Sequence, residues 1–555
     1  MIKEDLTAIY AESFRDNWDL PALTDYGVEN STITYGKMAR RIARLHLFFR
    51  LNGVRPGDKI AVMGRNSATW VTVFMATLTY GAIVVPVLAE FNPRDATHII
   101  NHSGAVFIFT SPAIAEHFDI DKMPAVKGIM SLERRQVLAE RESDNGLLSK
   151  TLRNLSRKFN GVYKHGFDRK DVNYPVRPKE SIAVINYTSG TTGFSKGVML
   201  TLNNLCGNVV FGIESRLHYQ GSRTLSFLPL AHAYGCAFDM LVPLAVGTHV
   251  TLFGRLPSPN LLVKALNDVK PNLVVVVPLI LEKIYKNKIV PMITKQAMRW
   301  ALAIPLLDKA IYNKIRSRLV SAFGGEFEEI IVGGAPLNSE VEDFLHRIKF
   351  PFTVGYGMTE CGPLISYTPW RQFVPGSCGR TLPHIMNSRI DSPDPENIPG
   401  DICVSGENVM VGYYKNPEAT DAVLSPDGWL NTGDIGTRTP DGTLFIRGRS
   451  KTMILSSTGQ NIYPEEIESK LNNMPFVSES LVVERNNRLV AIVYPDYEWM
   501  DANGIDLRQL PEQMEKNREE LNTLVAPYER IDKIELIPNE FEKTPKRSIK
   551  RYLYK

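Results

Sequence analysis

Cysteine is scarce in this chain: five in 555 residues, at Cys206, Cys236, Cys361, Cys378 and Cys403. No two form a C-x-x-C pair and none has metal-ligand spacing, which excludes a disulfide framework and a thiolate metal site. They read as reduced, mostly buried thiols of a cytosolic protein. Net charge is also small. Sixty-four basic against 60 acidic residues leave +4, too little for wholesale nucleic-acid binding. The opening residues, Met1-Ile-Lys-Glu-Asp-Leu6, lack the basic and apolar regions of a signal peptide, so a cytoplasmic location is expected. There is no internal repeat and no low-complexity tract. An unbroken membrane-spanning run is missing too. The uncharged stretch 67–89 has the length, but Gly81 and Pro86 interrupt it. It predicts a buried helix before Gly81 and a strand over 83–87. The apolar zone 225–253, with Asp239 and two prolines, reads the same way.

A chain this long exceeds one ordinary core, so two or more domains are expected. Short, β-branched apolar runs at 59–63, 105–109, 273–277 and 330–332 alternate with helical patterns. Each suits a strand covered on both faces. The alternation predicts an α/β protein whose large N-terminal domain has mostly parallel sheets flanked by helices. Polar stretches at about 131–179 and 283–319 read as surface excursions. The second is helical and basic, with Lys286, Lys288, Lys295, Arg299, Lys309, Lys314, Arg316 and Arg318 among apolar residues such as Trp300 and Ile304. That mix suits contact with an anionic membrane at its inner, cytoplasmic face; a solvated helix pair covering a core is the alternative. Past Gly448-Arg449 the pattern shortens and charge rises. Tyr463-Pro-Glu-Glu-Ile467 starts a helix, and 481–483 with 489–493 form a hairpin around Asn486-Asn487. The boundaries read as 1–448 and 449–555, the latter a small, mobile α+β domain.

The most informative stretch is Tyr187-Thr-Ser-Gly-Thr-Thr-Gly-Phe-Ser-Lys-Gly-Val198. It follows the apolar run 182–185, which reads as a buried strand. Its glycines let backbone N–H groups approach a polyanion, its hydroxyls add donors, and Lys196 adds a compact positive charge. No glycine has the P-loop spacing of the GTPases. A nucleotide-phosphate loop is therefore expected, built from Thr188, Ser189, Gly190, Thr191, Thr192, Gly193 and Lys196.

Further motifs follow in order: Leu228-Pro-Leu-Ala-His-Ala-Tyr-Gly235, Gly333-Gly-Ala-Pro336, Gly355-Tyr-Gly-Met-Thr-Glu360, and Asp427-Gly-Trp-Leu-Asn-Thr-Gly-Asp434 running on to Gly448-Arg449. With the phosphate loop, they resemble the adenylate-forming superfamily of acyl-CoA synthetases, luciferases and peptide-synthetase adenylation domains. The resemblance covers nearly the whole chain. Within the superfamily it is strongest to long-chain fatty acid–CoA ligases of the bacterial kind. It implies activation of a fatty acid by ATP to an acyl-adenylate, then transfer to CoA as a thioester, releasing pyrophosphate and AMP.

The resemblance also implies roles. The 188–196 loop would hold the β- and γ-phosphates. Glu360, with Thr188, would ligate Mg²⁺, and Thr359 would donate to the α-phosphate. Gly333, Gly334 and Ala335 would lie against adenine, Tyr356 would stack on it, and Gly357 would lie beside it. Asp434 would accept the ribose hydroxyls, with Arg449 beside it. His232 would gate or position the acyl carboxylate, and Lys451 would be the pivot between the two half-reactions. Near the C-terminus the family usually carries Lys-Thr-x-x-Gly-Lys. Here Arg547 and Ser548 replace the Gly and the catalytic Lys, and Lys546 is the nearby base taken to substitute. Thr452 stands where many relatives carry an acid. Two alternatives stay open: an acyl-adenylate ligase that loads a carrier protein, and a degenerate nucleotide-binding homologue without turnover. The partners implied are fatty acid, ATP and CoA, with no nucleic acid; oligomeric state is not predicted.

Overall fold

The protein is described from a computed structural model covering residues 2–141, 145–188, 196–256, 258–305, 307–455, 460–486, 488–502, 504–544 and 549–554. The expected helix–turn–strand is present: the helix Ala68–Tyr80 ends at Gly81, and the strand Ile83–Val87 follows. Its helix is buried almost all round, which is why its sequence carries no charge. Ile83–Val87 pairs in parallel with Lys59–Met63, which pairs in parallel with Ala105–Thr110. These strands lie inside an eight-stranded sheet. The sheet turns antiparallel where Ile182–Thr188 meets Lys196–Thr201, so the predicted phosphate loop joins two strands rather than a strand and a helix.

A second sheet is fully parallel and aligns Leu273–Val276, Glu329–Val332 and Phe352–Val354. A third pairs Arg223–Ser226, His249–Leu252 and Pro21–Asp25 in parallel, with the antiparallel Ile33–Thr34 at its edge. A four-stranded antiparallel sheet, Met386–Asp391, Gly400–Gly406, Leu430–Arg438 and Leu444–Arg449, has no counterpart in the sequence reading. One apolar core runs from Ile2 to Leu444.

The C-terminal part has its own cores. The hairpin Val477–Arg485 with Arg488–Pro495 and the parallel strand Ile531–Leu536 form its sheet. Pro464–Leu471 and Leu510–Leu524 are its longer helices. Lys286 of the N-terminal part reaches across to the Asp496 carboxylate at 3.1 Å. Asn338 donates to the Ser469 carbonyl at 3.2 Å and to Asn473 at 2.6 Å. All five cysteines are buried and unbridged.

The stretch 131–179 is only partly a surface excursion. Leu147–Val162 forms a helix whose Leu148, Leu155 and Phe159 enter the main core, as do Val172 and Tyr174. Polar residues on its other face masked this amphipathic pattern in the sequence.

Candidate active site

Two motifs sit at the carboxyl ends of neighbouring parallel strands, where α/β sheets bind ligands. Gly333-Gly334-Ala335 leaves the end of Glu329–Val332, and Gly355-Tyr356-Gly357 leaves the end of Phe352–Val354. The Gly355 N–H donates to the Val332 carbonyl at 2.9 Å, holding the two turns side by side. Gly333 is small for a local reason: a Cβ there would come within 3.0 Å of the Tyr234 ring. Tyr234 in turn donates to the Ile331 carbonyl at 3.0 Å. Gly334 and Ala335 are exposed. At Gly357 a Cβ would stand 2.3 Å from the Pro363 carbonyl oxygen, so only glycine lets this hairpin close.

Tyr356 joins the third motif. Its hydroxyl donates to Asp434 Oδ2 at 2.7 Å, and Arg449 Nε lies 3.3 Å from Asp434 Oδ1. Asp434 faces Arg449 across the strand pair Leu430–Arg438 and Leu444–Arg449. It therefore lies within a strand, not in the simple turn that Thr432-Gly433-Asp434 resembles by composition. Burial raises the Asp434 pKa, against the opposing pull of Arg449 and Tyr356. Both carboxylate oxygens already hold a partner, yet each can accept a second hydrogen bond.

A second cluster gathers Lys196, Tyr413 and Glu360. Lys196 Nζ sits 4.6 Å from the centroid of the Tyr413 ring. The Tyr413 hydroxyl donates to Glu360 Oε1 at 2.9 Å. The short strand Gly412–Tyr413 pairs with Lys196–Thr201, while the Met410 N–H donates to the Glu360 carbonyl at 2.8 Å. One segment thus holds the end of the phosphate loop against the turn Thr359–Cys361, whose Thr359 is buried. Thr188 and Lys196 face each other across their strand pair. Ser189, Gly190, Thr191, Thr192 and Gly193 lie outside the described residues. Tyr413 was missed by the sequence reading: it lies 53 residues beyond Glu360, and nothing local in the sequence joins the two.

His232 precedes the helix Ala233–Cys236 and is half-buried. Its loop is pinned by residues the sequence did not single out. Asn66 accepts from the Leu230 N–H at 3.0 Å and donates to the Leu228 carbonyl at 2.7 Å. Asn186 donates to the Ala231 carbonyl at 3.2 Å. Further along, Asp239 is wholly buried, and neither carboxylate oxygen has a partner among the described residues.

Burial raises the Asp239 pKa well above 3.8, because an unpaired buried carboxylate is costly. A raised folded-state pKa means that its stabilising contribution is complete below the unfolded value. That contribution is lost as pH rises through the folded value. Asp239→Asn is therefore expected to raise Tm by about 1–3 °C at pH 8, with the gain shrinking toward pH 4. A thermal melt series across that range checks it; a gain independent of pH would contradict it.

Lys451 is exposed. Beside it, Thr452 donates to Glu465 Oε1 at 2.7 Å and to the Arg449 carbonyl at 3.1 Å, so the departing Thr stitches the connector to the helix Pro464–Leu471. Lys546, with Arg547 and Ser548, lies outside the described residues. Nearby Lys550 pairs with Glu542 at 3.3 Å.

The AMP-binding enzyme family model matches residues 11–414. Long chain acyl-CoA synthetase 7, peroxisomal, of Arabidopsis thaliana is 30% identical over 521 residues, covering 87% of this chain and 72% of that protein. A long-chain-fatty-acid–CoA ligase of Salmonella typhimurium is 29% identical over 484 residues, covering 84% and 80%. In fold, the chain matches ATP-bound MatB from Rhodopseudomonas palustris with TM-score 0.75 at 22% identity, covering 99% and 98%. It also matches O-succinylbenzoate coenzyme A synthetase from Bacillus subtilis in complex with AMP, with TM-score 0.73 at 21% identity, covering 99% and 98%. On the strength of the family match and the relatives that span most of its length, the chain belongs to the AMP-binding enzyme family, within the adenylate-forming superfamily.

Proposed function

We propose that the protein is an acid–thiol ligase that joins a long-chain fatty acid to CoA at the expense of ATP. One observation carries most weight: Lys196 and Glu360 meet on Tyr413, while Tyr356, Asp434 and Arg449 form a linked group at the sheet end. The first cluster supplies a cation and an acid for a polyphosphate; the second supplies acceptors and a cation for a nucleoside. In the first half-reaction a carboxylate oxygen of the fatty acid bonds to the α-phosphorus, and the bond to pyrophosphate breaks. In the second, the CoA sulfur bonds to the acyl carbon, its proton is lost, and AMP leaves with its electron pair.

An anion must approach a polyanion, so shielding is the main task of the site. Lys196, Thr188 and the 188–196 loop bear on the β- and γ-phosphates, and the Thr359 hydroxyl on the α-phosphate. Glu360 and Thr188 are the residues that would hold Mg²⁺. A carboxylate and a hydroxyl are hard oxygen donors, a set that fits this ion when phosphate oxygens complete its shell. When bound, the ion neutralises charge on the phosphates. Tyr413 orients the Glu360 carboxylate. Gly333, Gly334, Ala335, Tyr356 and Gly357 receive adenine, and Asp434 and Arg449 the ribose. His232 positions the acyl carboxylate. Lys546 supplies the charge that the aligned Ser548 lacks. The two domains divide at 448/449 and turn about Lys451.

The choice of acid rests on the relatives' names and on the sequence signature of 427–451. A long alkyl tail repays a deep apolar site at roughly 0.8 kcal/mol per buried methylene. Amino-acid-activating relatives place an Asp near the acyl pocket, and Asp239 does not fall at that offset from Pro243, which favours a substrate without an amine.

Asp434→Asn tests the nucleoside assignment. Losing a hydrogen bond to a charged group costs ~1.5–3 kcal/mol. KM for ATP should rise about ten- to a hundredfold, with KM for the fatty acid unchanged. An unchanged KM for ATP would remove Asp434 from the nucleoside site.

A further inference from the structure

The charge of this chain is segregated. Residues 283–322 hold nine Lys and Arg against one acid, Asp308, in a protein whose total is only +4. The remainder is therefore net acidic. Lys286 is engaged by Asp496 and is not counted among the surface charges below.

The apolar residues in this region divide into two groups. On the helix Leu307–Ala322, Ile315 and Leu319 are buried, and Tyr312 meets the Phe344 ring. Lys314 and Arg318, four residues apart, share an exposed face of this helix, and Lys309 is exposed in its first turn. The turn that joins this helix to Gln296–Leu302 is different. There Trp300 is 72% exposed, Ile304 53% and Leu307 43%, and Ala303 and Pro305 are exposed beside them. Scattered exposed apolar side chains need no explanation, but three large ones gathered at one turn and the helix ends beside it, next to the exposed Lys309, do.

We infer that this turn and the outer face of Leu307–Ala322 form a docking surface for an anionic lipid bilayer. Trp300 and Ile304 would enter the headgroup–acyl boundary, where indole is favoured. Lys309, Lys314 and Arg318 would lie over the acidic headgroups. The exposed tryptophan and the charge complementarity favour a bilayer over an acidic protein, which would offer charge without an apolar phase. The inference does not depend on the proposed reaction, because binding is read without turnover.

The test is sedimentation of the full chain with vesicles of phosphatidylcholine alone, or with about one quarter phosphatidylglycerol. Binding to the anionic vesicles is expected at low salt and should fall as salt rises. Each neutralised lysine should weaken it roughly fivefold, so Lys309→Gln with Lys314→Gln should cost about twenty-five-fold. Trp300→Ala should weaken it several-fold and remove a blue shift in tryptophan emission. No sedimentation at low salt overturns the inference. So does equal binding by the substituted proteins, or binding indifferent to phosphatidylglycerol. Substitutions that change only self-association or capture of an acidic carrier protein, with vesicle binding intact, assign the surface to a protein partner and also overturn it.

Discussion

Glu360→Gln is expected to lower adenylation by about 10²–10³-fold, the loss typical of removing one electrostatic group from a reacting centre. The substitution keeps the shape of the side chain and removes its charge. Tyr413 can still donate to the amide oxygen as it does to Glu360 Oε1, so the fold around the turn should hold. The backbone tie from Met410 to the residue-360 carbonyl does not involve the side chain. What is lost is the acid that would hold Mg²⁺ against the phosphates. Pyrophosphate release with fatty acid, ATP and Mg²⁺ reads the effect, and an unchanged Tm shows that folding is intact. Near-normal release would remove Glu360 from the site. Tyr413→Phe should give a smaller loss in the same assay, because it frees the carboxylate without neutralising it.

Lys451→Pro is expected to separate the two half-reactions. Proline fixes φ near −65° and costs ~3 kcal/mol or more where the backbone must adopt another conformation. If the small domain turns about this residue, one orientation becomes inaccessible. Acyl-adenylate formation should then stay within about threefold of the parent while thioester formation falls by about 10²-fold. Single-turnover measurement of each product reads the two steps apart. Equal loss of both would sink the pivot assignment. Lys286 with Asp496 and Asn338 with Asn473 are among the contacts that hold the small domain here, and polar contacts of this kind can be remade if the domain turns. Lys286→Ala would loosen this orientation without touching the pivot.

Much of the fold could be read from local pattern. The parallel strands announced themselves as continuous β-branched runs, because burial on both faces removes the polar alternation. Gly81 and Pro86 punctuated the one stretch of membrane-spanning length. Tyr463-Pro464 correctly marked the start of a helix. The antiparallel sheet 386–449 was not foreseen: its strands mix glycine and polar residues with few apolar ones, as in Leu430-Asn-Thr-Gly-Asp-Ile-Gly436, so no strand period shows. Asp434 illustrates the same limit, since Thr432-Gly433 has turn composition but lies inside a strand with a register shift nearby.

The site was legible wherever a motif carried it and not where support came from a distance. Asn66 and Asn186 pin the His232 loop from 164 and 45 residues away, and no local signal marks them. Tyr413 links Lys196 to Glu360 across the chain for the same reason. Asp239 carried a hint in being an acid within an apolar zone, but that it has no partner among the described residues needed the packed structure.

The central claim is tested most directly by incubating the purified protein with palmitate, ATP and Mg²⁺, with and without CoA, and weighing the products by mass spectrometry. The account predicts palmitoyl-AMP without CoA and palmitoyl-CoA with it. Palmitoyl-AMP that persists unchanged in the presence of CoA, or neither product, would contradict it.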